Sequence, residues 1–193
     1  MSLLDLIVKT GIANAIASQL AGLKANKNAI AETIENNVLS KIIKEHLNDP
    51  AYYEKMSALL DEIIATRKAK AIEYEEYLKR IAELAKKVET GQADDTPEQL
   101  KNSPALRALY NNLKKGGGRA EAVADEPGDY AGSSDAALQL ALKIDATVKR
   151  VRPDAWRGHQ PKENIIKAAL LPLLRTVAEV ERIFLIIKAQ REY

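Results

Sequence analysis

The chain has 193 residues with no Cys and two His, and Lys+Arg 29 against Asp+Glu 27 gives a net charge of +2. Disulfide scaffolds, thiolate zinc sites and cysteine nucleophiles are excluded, a zinc site built on several imidazoles is impossible, and a Ser-His-Asp triad could recruit only His46 or His159. Hydrophobic residues at 46%, and thirty Ala with twenty-three Leu against nine aromatics, make an all-α protein the expectation and exclude disorder or a β-sandwich for the whole.

In chain order, Leu3 to Lys9 predicts a short helix that Thr10-Gly11 stops. Ile12, Ile16, Leu20 and Leu23, then Ile30, Ile34, Val38 and Ile42, recur at helical spacing and predict two helices hinged over 22–28. Asp49-Pro50 closes this block, because proline biases the preceding residue away from helix while its own φ suits a first helical turn.

Residues 51–89 form the longest periodic element. Leu60, Ile64, Ala71, Tyr74, Leu78, Ile81, Ala85 and Val88 alternate spacings of four and three with Arg67 as one polar break, which is a heptad seam. A single helix of about forty residues would extend ~60 Å, longer than a compact domain of this size. It must pack against an antiparallel helix of its own chain or project towards another. On the second alternative Leu60, Ile64, Tyr74, Leu78 and Ile81 are the partner-interface candidates.

Gly91 ends that helix, and Thr96-Pro97-Glu98 carries a new start, with Thr as N-cap and Pro at the first helical position. A short helix to Asn102 and another over Pro104–Lys114 follow. The expected organisation is a helical bundle over 1–114 that includes the long helix 51–89, a flexible Gly-rich loop over 115–134, and a smaller helical lobe over 135–193. In the last, a helix runs from Ser134 to Val151, residues 152–161 connect, and 162–193 form a helix that Pro172 kinks or divides. Charge is distributed unevenly: 135–193 holds eleven Lys+Arg against seven Asp+Glu, so this lobe alone is basic. Asp5 and Lys9 interrupt the apolar start, and no run reaches the ~18 apolar residues of a membrane span. A cytoplasmic location with no membrane partner is expected.

Few motifs promise chemistry. Gly116-Gly117-Gly118-Arg119 lacks the Lys-Ser/Thr pair and the preceding strand of a phosphate-binding loop and reads as a linker. Asp154, Glu163 and Lys167 loosely evoke a metal-dependent nuclease constellation, but Glu163 and Lys167 stand four apart on a predicted helix, where an intrahelical salt bridge is the simpler reading. No catalytic residue, metal ligand or cofactor is assigned. Lys149, Arg150, Arg152 and Arg157 bracket Trp156, with Lys143 and Lys162 to either side. Such cations neutralise phosphates and an exposed indole stacks on bases, so these five are the DNA-contact candidates. A lone Trp between two helices is more often packed in the core.

The chain resembles the C-terminal helical region of the R subunit of type I restriction-modification enzymes. The resemblance is carried by Lys9-Thr-Gly-Ile-Ala-Asn-Ala-Ile-Ala-Ser-Gln-Leu20, Ala31-Glu-Thr-Ile-Glu-Asn-Asn-Val38, Lys41-Ile-Ile-Lys-Glu45 and Asn48-Asp-Pro-Ala-Tyr-Tyr-Glu54. Glu73-Tyr-Glu-Glu-Tyr-Leu78, Arg107-Ala-Leu-Tyr-Asn-Asn112, Val151-Arg-Pro-Asp-Ala-Trp-Arg-Gly158 and Val180-Glu-Arg-Ile-Phe184 to Tyr193 extend it. It departs at the long Gly-rich segment 116–133 and at Pro172. The resemblance implies a noncatalytic tail of an ATP-dependent DNA translocase and endonuclease whose ATP and Mg²⁺ chemistry lies in other domains. It implies assembly with methyltransferase and specificity subunits, with weak, sequence-independent contact to duplex DNA as a second role. A free-standing helical oligomer or nucleic-acid-binding module is the alternative, and a metal-dependent nuclease a more remote one.

Overall fold

Capping chemistry sets the first helix. Ser2 Oγ accepts the Asp5 N–H at 3.0 Å while the Asp5 carboxylate accepts the Ser2 N–H at 3.0 Å, a reciprocal box that also holds the Asp5 carboxyl below its ordinary range. The computed structural model describes residues 2–23, 26–93, 96–116 and 134–193. Among these the protein is all-helical, with nine α-helices and no strand. None of these helices is long and apolar enough to cross a membrane. The chain divides into two compact units, Met1–His46 with Tyr52–Asp95 and Leu47–Ala51 with Thr96–Tyr193.

The first unit holds α1 (Leu3–Thr10), α2 (Ile12–Gln19), α3 (Lys27–Glu45), α5 (Tyr74–Thr90) and most of α4 (Pro50–Lys68). Gly11 at φ +86° joins α1 to α2, as the sequence leads one to expect. Ile30, Ile34, Val38 and Ile42 form the buried stripe of α3, packed with Leu4 and Ile7 of α1, Met56 and Leu60 of α4, and Ile81 and Val88 of α5. The Tyr52 hydroxyl donates to the Lys87 carbonyl at 2.8 Å and ties α4 to α5.

The single helix expected over 51–89 is two. After Lys68 the Lys70 N–H bonds the Arg67 carbonyl at 3.0 Å and the Ala71 N–H bonds the Thr66 carbonyl at 3.1 Å, with Lys70 at φ +52°. That is a Schellman ending with lysine in the left-handed position glycine usually fills. Apart from Ala71, which is exposed, the seam residues face their own unit. Leu60 and Ile81 are fully buried, and Ile64, Tyr74 and Leu78 pack partly buried against the same core, so none of the five is a free partner interface. Gly91, at φ +62° with its N–H on the Lys87 carbonyl at 2.9 Å, ends α5 where expected.

In the second unit Glu98–Leu100 makes one 3₁₀ turn, short of the helix expected there. Then come α6 (Pro104–Gly116), α7 (Ser134–Val151), α8 (Gln160–Leu174) and α9 (Val177–Ala189). Its core joins Leu109, Ile144, Val148, Ile166, Leu170, Ile183, Phe184 and Ile187 around Trp156. Residues 96–114 belong here rather than to the bundle of the first half, because α6 packs on α7 and α9. The Gly-rich loop expected over 115–134 lies almost wholly outside the described residues.

Leu47–Ala51 is built into this unit by polar contacts. Asp49, buried, accepts from Asn111 Nδ2 at 2.7 Å and Asn112 Nδ2 at 2.8 Å, and Gln190 Nε2 donates to the Asn48 carbonyl at 2.6 Å. The C-terminal residues bind two further elements. Glu192 accepts from Ser103 Oγ at 2.6 Å and the Ala105 N–H at 3.0 Å, capping α6, while the Tyr193 hydroxyl donates to Asp145 on α7 at 2.7 Å. Burial pushes the Tyr193 hydroxyl pKa up, with the Asp145 carboxylate adding to the shift. Pro172 does not divide the last helix. It lies exposed in the final turn of α8, where a missing N–H forfeits one hydrogen bond, and the break comes at Arg175, φ +65°, before Thr176 caps α9.

Candidate functional site

The basic stretch 143–157 occupies the end of α7 and the start of the connector, and the fold assigns its charges to different tasks. Trp156 is 2% exposed, packs against Phe184 at 5.7 Å between ring centroids, and is no stacking platform. The Arg157 guanidinium lies 4.6 Å from the Trp156 ring, and its Nε donates to the Lys188 carbonyl at 3.1 Å while its Nη2 donates to the Gln190 carbonyl. Arg157 therefore satisfies carbonyls that the end of α9 leaves without helical partners. Lys149 Nζ sits 2.9 Å from Asp145, and Lys162 Nζ donates to the Asp154 carbonyl at 2.7 Å. Of the five DNA-contact candidates, Trp156 and Arg157 are thus structural, Lys149 is paired, and Arg150 and Arg152 are exposed. Lys143 shares an exposed face of α7 with Arg150.

The nuclease-like set does not assemble. Glu163 accepts the Gly158 N–H at 2.7 Å and pairs with Lys188 Nζ at 2.7 Å, whereas Lys167 pairs with Glu181 on α9 at 2.7 Å. The expected Glu163–Lys167 intrahelical bridge is replaced by two bridges from α8 to α9, because both side chains lie toward the packed side of α8. The Lys188 ammonium, then the Gly158 N–H, hold the Glu163 carboxyl below its ordinary value of 4.5. A carboxylate whose pKa falls on folding stabilises the fold fully above that ordinary value, and the contribution is lost as pH drops through the lowered one. The urea midpoint should therefore fall between about pH 6 and pH 3 by less in a Glu163→Gln variant, which has nothing to titrate there, than in the wild type.

The second surface was not foreseen. Every exposed residue of α8 is uncharged, among them Pro161, Asn164, Ile165, Ala168, Leu171 and Pro172. Its charged side chains, Lys162, Glu163 and Lys167, are all engaged inside the unit. Ile165 is 51% exposed, and on the adjoining α9 Val177 and Leu185 are 67% and 65% exposed. A surface helix ordinarily turns its charges outward, so α8 inverts the usual pattern. Helical spacing holds the signal: charges at 162, 163 and 167 fall on one side of the helix and leave the other without any.

The chain matches no protein-family model, no curated protein and no solved structure.

Proposed function

We propose that this chain is a noncatalytic helical assembly module of the kind found at the C-terminus of the type I restriction R subunit. It docks on the methyltransferase and specificity subunits and turns a basic face of α7 toward duplex DNA. The observation that carries the reading is the exposed face of α8, which bears no charge and includes Ile165 and Leu171, since exposed apolar side chains on a helix that turns all its charges inward mark a protein contact. Further support comes from four of the stretches that carry the resemblance, parts of which meet within the second unit. Asn48–Ala51 packs on Asn111 and Asn112, and Trp156 and Arg157 engage Phe184, Lys188 and Gln190. In this reading the ATP and Mg²⁺ of the parent translocase act in other domains.

Capture of a purified methyltransferase and specificity core by this chain tests the proposal. The Ile165→Glu, Leu185→Glu double variant should lose about tenfold or more in affinity, as charge forced into an apolar contact does, while both positions are exposed enough to leave the fold intact. Wild-type capture by the double variant, or no capture by the wild type, rejects the docking face. Sedimentation separates the alternative of a free-standing helical oligomer, which requires a self-associated species and no complex with the core.

A further inference from the structure

We propose that Lys143, Arg150 and Arg152 form the DNA contact, and that they hold a duplex by its phosphates alone, without reading or stacking on bases. The inference rests on the DNA-facing role given above and identifies the groups that perform it.

Lys143 and Arg150 stand two turns apart on one face of α7, about 10 Å along the axis, with Ala146 between them, and Arg152 follows the helix end. All three side chains are exposed, and none makes an ion pair or hydrogen bond among the described residues. Of the acids on α7 itself, Asp145 is buried on another side, where Lys149 and Tyr193 take its two oxygens, and Asp135 lies two turns before Lys143.

Two absences from this face decide the partner's chemistry. Protein contacts depend on a few apolar or aromatic anchors, and α7 exposes no large hydrophobic residue. Proteins that prefer single strands stack bases on exposed aromatic rings, and among the described residues every Trp, Tyr and Phe is buried or partly buried. What remains is a row of unpaired cations on a smooth helix. That suits the regular phosphate array of a duplex, whose release of counterions supplies the affinity.

Fluorescence anisotropy with a labelled duplex and a single strand of equal length tests this. Three phosphate contacts give a salt slope near −2.7, so duplex affinity should fall about 40-fold between roughly 50 and 200 mM salt. The Lys143→Ala, Arg150→Ala, Arg152→Ala variant should lose about tenfold or more at the lower salt. A control with the same change in net charge on exposed residues of the first unit, Lys55→Ala, Lys68→Ala, Lys79→Ala, should stay within about twofold. Equal losses in both variants, tighter binding to the single strand, competition by polyglutamate as effective as by duplex, or no binding by the wild type would each overturn the proposal. Capture of the methyltransferase core, measured on the same proteins, should be unchanged in the α7 variant. Lost capture by the wild type with duplex binding intact would reject the assembly reading and leave the phosphate contact standing.

Discussion

An Arg67→Met variant should lose about 3–5 kcal/mol of stability, the cost of removing one partner from a buried ion pair. Glu35 on α3 is buried, and Arg67 Nε and Nη2 meet its two oxygens at 2.8 and 3.0 Å in a bidentate pair. The Tyr77 hydroxyl on α5 lies 3.1 Å from the same carboxylate and 3.3 Å from the Ala31 carbonyl, and the guanidinium stands 5.7 Å from the Tyr77 ring. Three helices therefore meet on one charge. Hydrogen bonding to Glu35 raises the Arg67 pKa, and burial, reinforced by the Glu35 charge, raises that of Tyr77, so neither supplies or removes a proton near neutrality. Methionine fills much of the stem volume but leaves the carboxylate with Tyr77 alone. The Glu35→Leu, Arg67→Met double variant removes that orphaned charge and should recover more than half of the loss, with the Tyr77 hydroxyl still able to donate to Ala31. Urea melts followed by far-UV circular dichroism give both values. A loss below about 1 kcal/mol in the single variant would mean that solvent screens the pair as it would on a surface.

Arg67 also shows where the sequence stops being legible. Periodicity places it as a polar break in a heptad seam, and periodicity is a property of one helix, whereas the partner that explains Arg67 lies on another. The same segment conceals its own division. A Schellman ending normally announces itself with glycine, as Gly91 does at the end of α5, but at Lys70 the left-handed position is filled by a residue that gives no warning. Helix limits fixed by local chemistry, at Gly11 and Gly91, are readable because the cap and the residue it serves are neighbours in sequence. The grouping of helices is not. The unit holding α6 depends on Asp49, Glu192 and Tyr193 reaching residues far along the chain. The basic cluster was visible as composition, and the i,i+4 spacing of Asp145 and Lys149 signals their pairing, but Arg157 is withdrawn by carbonyls on α9, a commitment that no spacing announces.

Trp156→Ala should cost about 3–5 kcal/mol, the range for deleting a buried large aromatic, and should do so without any specific effect on DNA. The indole is enclosed by the second core, with Phe184 at 5.7 Å and Arg157 at 4.6 Å, so truncation opens a cavity and also frees the guanidinium that holds the end of α9. A loss this large could be mistaken for a binding defect, and Trp156→Phe separates the two. Its ring keeps most of the apolar contact. The hydrogen-bonding group it removes, Nε1–H, is buried with no partner among the described atoms, so deleting it leaves no acceptor unsatisfied. The Phe variant should therefore lose only about 1–2 kcal/mol, from the volume difference, and remain folded at room temperature. If the indole is a core anchor, duplex affinity of this variant equals that of the wild type, and wild-type emission, which comes from this residue alone, is blue-shifted and resists iodide quenching. If it serves as a base-stacking wedge, affinity drops although the melt shows a folded protein, and the emission is quenched when DNA is added. That outcome would require the connector to open, breaking the Arg157 bonds to Lys188 and Gln190 that now hold it against α9.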